Sequence, residues 1–170
     1  CQQIPLRPLT VAQVRDALIA RWRVEAGHAD LLAHLSGGRP GWAVQAAADP
    51  SLLAARAIAL DDLIELLTSD RVRRFAYAEA LTKNPERTRE VLNVWRTWWR
   101  DVMLLGSGSR AALVNIDRGS QLQTLARQVN TARAKAAAEA CGRALWQIDR
   151  NATPRLVLEV LLLDLPLLRT

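Results

Sequence analysis

This chain is poor in the residues that build disulfide scaffolds and metal centres. Its two cysteines are Cys1, at the terminus, and Cys141, inside an alanine-rich stretch. Two such distant thiols make neither a disulfide framework nor a metal cluster, and Cys141 reads as a small buried apolar residue. A reducing compartment suits this usage. The only histidines are His28 and His34. Their spacing puts them on opposite sides of a helix, so both read as solvated or packing side chains and no metal site is expected. Glycine (8) and proline (7) are sparse, while Ala, Leu and Arg abound, which favours helix over strand. Aromatics make up 5% of the chain, and six of them are Trp. No charged-then-apolar signal segment opens the sequence. The most apolar run, 156–168, contains Glu159, Asp164 and Pro166 and is too short for a bilayer span, so no membrane partner is expected.

A length of 170 residues fits one ordinary domain or two small ones, and a hydrophobic half is enough for a packed core. The formal net charge is +6, from 23 basic and 17 acidic residues. A basic balance points to nucleic acid or an acidic partner. Here the arginines are scattered among carboxylates, which reads as a solvated helical surface, with weak phosphate-backbone contact as the alternative.

Apolar residues recur at helical spacing nearly throughout, with no convincing strict alternation. Thr10 is a candidate N-cap of a first helix with Val11, Val14, Leu18 and Trp22 on one face, and Gly27 is suited to end it. Ala29, Leu32 and Leu35 mark a second helix. Pro40 suits the first turn of a third, which Asp49-Pro50 stops. Three short helices bury little surface alone and are expected to lean on a neighbour. From Ser51 the helices lengthen. Ser51–Thr68 presents Leu53, Ile58, Leu60, Leu63, Leu66 and Leu67 as its buried side, and 70–82 presents Val72, Phe75, Ala76 and Leu81. Asn84-Pro85 opens a helix to about Leu105 with Val91, Leu92, Trp95, Trp98, Trp99, Val102 and Met103. Gly106–Ser109 is a joint. Residues 119–150 form one helix, or two broken near Asn130. Asn151 tolerates left-handed backbone, and a last helix runs from Thr153 to about Leu165. The expected fold is all-α, with a three-helix unit over 1–50 and a bundle of about five helices over 51–170.

Few residues invite chemistry. Gly37-Gly38-Arg39-Pro40-Gly41 is a glycine-rich turn before a helix, where free amides can bind phosphate. It lacks the Lys-Ser/Thr ending of a P-loop and no strand precedes it. It therefore reads as a structural turn, with an anion site as the alternative. On 156–163, Leu156, Val157, Val160, Leu161 and Leu163 cover more of the helix than one packing face needs, which fits either a deep core position or a second contact with another chain. Trp98 and Trp99 point in different directions on a helix, so one is expected in the core and the other on a partner surface. Arg100 and Asp101 beside them read as a solvated pair. No catalytic residue is assigned. Carboxylates such as Asp61, Asp62 and Glu65 read as an exposed helix side.

The order of these segments resembles the bacterial AAA+ clamp-loader family. The resemblance rests on Cys1–Leu9, on Leu35-Ser36-Gly37-Gly38-Arg39-Pro40-Gly41-Trp42-Ala43, on Trp98–Val102 with Leu113–Asp117, and on Leu145–Leu156 followed by Leu158–Leu162. It covers nearly the whole chain, through order and spacing rather than one specific motif. It implies a small helical AAA+ lid (1–50) followed by a collar oligomerisation domain (51–170), cut from a longer chain whose nucleotide-binding core preceded Cys1. In the family's motor subunits the glycine turn opens the helix that carries an Arg onto the nucleotide phosphates. Here Gly41 falls at that place and Arg39 lies two residues earlier, so Gly38, Arg39, Pro40 and Gly41 form at most a nucleotide-proximal turn. Cys1 matches the end of the family's Ser-Arg-Cys motif, whose Arg would lie upstream. The resemblance implies ATP and Mg2+ bound elsewhere in the assembly, with no cofactor in this piece. It implies contacts through Trp98, Trp99, Arg100, Leu156, Glu159 and Val160 with gamma/tau-like and delta-like subunits, reaching the sliding clamp and primer-template DNA only through the whole complex, in the cytoplasm. A stand-alone basic helical module binding nucleic acid is the rival reading.

Overall fold

The computed structural model describes residues 8–168, so the readings placed on Cys1 and its immediate successors lie outside the described residues. The described residues contain nine α-helices, one 3-10 turn and no strand. The chain divides into two compact units: one runs through Ala54 and takes in Ala112–Arg118, and the other comprises Ala55–Ala111 and the chain from Gly119 onward. The division thus falls inside a helix, four residues past the expected boundary, and 112–118 belongs to the first unit instead of the second.

The first unit holds α1 (Val11–Trp22), α2 (Ala26–Leu35) and α3 (Pro40–Ala48). Thr10 opens α1 with a capping box: its hydroxyl accepts from the Gln13 amide (3.2 Å), and the Gln13 side chain accepts from the Thr10 amide (2.9 Å). Gly27 does not end α1. Arg23 takes the left-handed position (φ 54°), and Gly27 sits in the first turn of α2. There the Glu25 carboxylate accepts from the Gly27 and His28 amides, both at 2.8 Å, and these bonds hold its pKa below the usual carboxylate range. The core of this unit is Val14, Leu18, Ala29, Leu32, Ala33, Ala43 and Ala46. Trp22, expected on the buried face, is 47% exposed. Alanine supplies most of the core, so little apolar area is removed from water here. A 3-10 turn, Ile116–Arg118, packs against α2, and His34 Nδ1 lies 2.8 Å from the Leu113 carbonyl oxygen, tying the 112–118 segment to the same helix.

The second unit contains α4 (Ser51–Thr68, from Ala55), α5 (Arg71–Leu81), α6 (Pro85–Gly106), α7 (Gly119–Gln128), α8 (Thr131–Ile148) and α9 (Pro154–Asp164). It has six helices against about five expected, and the 119–150 segment takes the two-helix alternative, because Asn130 caps α8 by accepting from the Arg133 amide (2.8 Å). Asn151 is left-handed (φ 61°). The central element is α6, which packs against α8, α7 and α5. Its Trp95, Trp98 and Trp99 are all fully buried. Around them α8 contributes small side chains, Ala134, Ala137, Cys141 and Ala144, to the same core. Large residues on one helix against small ones on its neighbour fill the interior without strain. Truncating any of these indoles costs about 3–5 kcal/mol. On α4 the buried side is Arg56, Ala59, Leu60, Leu63, Leu66 and Leu67, while Ile58 is half exposed.

Candidate functional site

The glycine turn is closed on itself. The Gly37 amide donates to the His34 carbonyl (3.1 Å), Gly38 to the Ser36 hydroxyl (3.2 Å) and Arg39 to the Ser36 carbonyl (3.2 Å). The Arg39 Nε donates to that same carbonyl oxygen at 3.0 Å, folding its side chain back over the turn. Three of the amides that an anion would need are thus engaged internally, and Pro40 has none. The glycines answer to backbone demands. Gly38 sits at φ 83°, and a Cβ there would meet the Leu9 carbonyl oxygen at 2.6 Å and Pro8 Cβ at 2.7 Å. The Leu9 amide donates to the Gly38 carbonyl at 3.1 Å. The entering chain lies directly on the turn, and only a residue without a side chain permits that approach.

The residues nominated for an interface separate into two groups. Trp98 and Trp99 are both 0% exposed, so neither lies on a surface. The expectation of one core and one partner-facing indole is overturned, because α6 has packed neighbours on more than one side. Their Nε1 atoms find no acceptor, unlike that of Trp95, which donates to the Ala59 carbonyl of α4 at 2.7 Å. Asp101 is also fully buried and accepts from Arg100 at 3.0 Å, while the Arg100 side chain stays 43% exposed, so only the acidic half of the expected solvated pair leaves water. On α9, by contrast, Leu156 and Val160 are each 59% exposed and Leu163 is 47% exposed. They form one outward row, while Val157, Leu158, Leu161 and Leu162 face inward. Glu159 borders the row and accepts from Arg155 (2.9 Å), which also reaches Glu79 of α5 at 3.4 Å.

On α5 sequence reasoning placed Leu81 inside, where it lies, but misplaced Val72 and missed Arg74. Val72, expected inside, is 77% exposed, and the buried side chains are Arg74, Ala78 and Leu81. The Arg74 guanidinium donates to the Leu66 carbonyl (2.9 Å) and to the Leu162 carbonyl, with Leu165 and Pro166 carbonyls at 3.5 Å. It therefore caps the C-terminal turns of α4 and α9 together, where the helix dipole favours a cation, and the Leu66 carbonyl also accepts from the Ser69 amide at 3.3 Å. Burial lowers its pKa. The signal was present as the 74-78-81 register, an i, i+4, i+7 stripe whose leading residue happens to be charged.

Two further ionisations are displaced, each by packing. Tyr77 stacks on Trp95 (centroids 5.8 Å apart) and donates to Asp62 at 3.0 Å. Burial, then the negative charge of Asp62, holds its pKa far above the usual phenol range. This pulls Asp62 out of the purely solvated side assigned to it. Burial pushes the Cys141 thiol up to about 12, against the pull of nearby Arg96, which keeps it protonated and unreactive. Among the described residues no three His, Cys, Asp or Glu side chains gather in a metal-binding arrangement, and no helix is long and apolar enough to cross a membrane. What the described surface offers is therefore a row of apolar side chains on α9, a self-closed turn, and a cleft beside α7. Against known family models, curated proteins and solved structures, the chain finds no match.

Proposed function

We propose that this chain is an assembly module of a bacterial AAA+ clamp loader, a helical lid (1–50) followed by a collar domain (51–170). Within that class we read it as similar to the delta-prime subunit of DNA polymerase III. In this reading it binds gamma/tau-like and delta-like subunits through the collar and holds the loader ring together while ATP, bound with Mg2+ on other parts of the assembly, drives loading of the sliding clamp onto primed DNA. The chain itself carries no catalytic residue in this reading. Its site of action is the cytoplasm.

The observation that carries the reading is the outward row Leu156, Val160 and Leu163 on α9. It sits on the last helix of the larger unit, in a segment that resembles the closing helices of a collar. Three large aliphatic side chains at one-turn spacing make a helix face suited to burial against another helix. The internal bonds of Gly37, Gly38 and Arg39 support a lid that does not itself grip nucleotide.

The test is association. The purified chain is mixed with gamma/tau-like and delta-like subunits and read by native mass spectrometry. A stable heteromeric assembly is expected, and the double variant Leu156→Glu/Val160→Glu should weaken it at least about tenfold, since desolvated apolar anchors dominate such interfaces. Both positions are more than half exposed, so the variant should keep the circular dichroism of the parent. A folded chain that stays monomeric among these partners, or a variant that assembles as well as the parent, overturns the proposal.

A further inference from the structure

Within the larger unit α4, α6, α7 and residue 168 line an open cleft of about 250 Å³. Its apolar side is built from Leu67, Trp98 and Leu125, with Leu168 as a further wall. Its polar side is one face of α7, where Ser120, Thr124 and Gln128 line it at successive turns. Leu168 is held there by its amide, which donates to the Leu67 carbonyl at 2.8 Å. Among the described residues no ionised side chain lines the space. Trp98 lies buried in the wall, and its indole N–H has no acceptor in the described fold.

We infer that this cleft is a binding site for a small neutral aromatic molecule, bicyclic in size, with one hydrogen-bonding edge. Volume sets the size: a cavity of about 150 Å³ lined by aliphatic and aromatic side chains accommodates benzene, so this larger space takes a second fused ring. Lining chemistry sets the class. An ionised ligand would give up its hydration against Leu67, Leu125 and Leu168 with no opposite charge to receive it. A neutral ring lies against the aliphatic walls over the buried Trp98, while a hydroxyl or ring nitrogen at its edge meets the uncharged polar row of α7. Pockets of this kind, mostly apolar with a few placed polar groups, are the common form of small-molecule sites. The inference is independent of the assembly role, since none of the outward residues of α9 enters it.

The probe is 2-naphthol, neutral at pH 7, titrated into the 15N-labelled full chain. Saturable shifts are expected for the amides of Thr124, Leu125 and Gln128 and for the Trp98 indole N–H, with half-saturation at about 1 mM or below, as expected for a ligand of this size. Thr124→Trp and, as a second variant, Ser120→Trp place a ring in the cleft from exposed positions and should weaken binding about tenfold or more. Gln123→Trp, on α7 but not lining the cleft, should leave it unchanged. The anion 2-naphthoate should bind at least about tenfold more weakly than 2-naphthol. The inference is overturned by an absence of saturable shifts, by undiminished binding in both cleft-filling variants, or by naphthoate binding as well as naphthol.

Discussion

Replacing Arg74 with Met tests whether a buried cation holds the ends of two helices together. The variant keeps an unbranched apolar stem and deletes the guanidinium. In the parent this group is 4% exposed and donates to the carbonyl oxygens of Leu66 and Leu162 in the last turns of α4 and α9. A hydrogen bond from a charged donor contributes about 1.5–3 kcal/mol, and a buried carbonyl stripped of its partner costs about 1–3 kcal/mol. A cation at a partly buried helix C-terminus adds up to about 2 kcal/mol. Against these stands the desolvation of the guanidinium, several kcal/mol, which the parent bears and the variant does not. That relief cancels much of the gross loss but not that at the Leu162 carbonyl, which the thioether cannot serve, whereas the Leu66 carbonyl keeps the Ser69 amide (3.3 Å). We expect a net destabilisation of about 2–4 kcal/mol. The assay is equilibrium unfolding in guanidinium chloride followed by tryptophan fluorescence, because three of the six tryptophans lie in the core of this unit, with the slope checked for constancy. Arg73→Met is the control. Its ion pair with Glu65 (2.9 Å) is on the surface, and its loss should cost under about 1 kcal/mol. Should the two variants prove equally stable, or Arg74→Met lose less than the control bound, the capping argument fails.

Two other perturbations read separate parts of the fold. Tyr77 is the chain's only tyrosine, so phenolate absorbance at 295 nm reports it alone. Because its folded pKa is raised, its contribution to stability is full below about pH 10, the unfolded value, and is lost as the pH rises beyond that. The absorbance step should coincide with alkaline unfolding, and a step near pH 10 in a still-folded chain would contradict the Asp62 contact. Gly38→Ala places a Cβ against the Leu9 carbonyl at φ 83° and should cost about 1–3 kcal/mol in thermal unfolding. Gly41→Ala, which meets nothing within 4 Å, should be neutral or stabilising by up to about 1 kcal/mol. Equal effects at the two glycines would remove the close-approach account of the turn.

Helices and their ends were largely readable along the chain, because caps are local chemistry. Thr10, Asn84 and Asn130 each bond an amide three residues ahead, and Pro40, Pro85 and Pro154 stand at helix starts. Where two local signals competed, the reading slipped: Gly27 looked like a stop, yet the Glu25 carboxylate made it a start. Burial was less readable. Trp22 and Ile58 lie outside, although both sit on apolar-looking faces. Of the candidate interface, Leu156 and Val160 stand outward while Trp98 and Trp99 both lie inward, although the helical period splits the two indoles. Nothing in the chain pattern announced the cleft beside α7, whose walls come from segments as distant as Leu67 and Leu168.

The sequence by itself determined the all-helical character, the order of the elements and most of their termini, since each depends on residues within a turn or two of one another. Only the tertiary structure decided which side of each helix is inside. That choice depends on what the neighbouring helices leave unsatisfied. On α5 the carbonyls in the last turns of α4 and α9 hold Arg74 in the interior while Val72 stays in water, a placement that no hydrophobic period along one helix encodes.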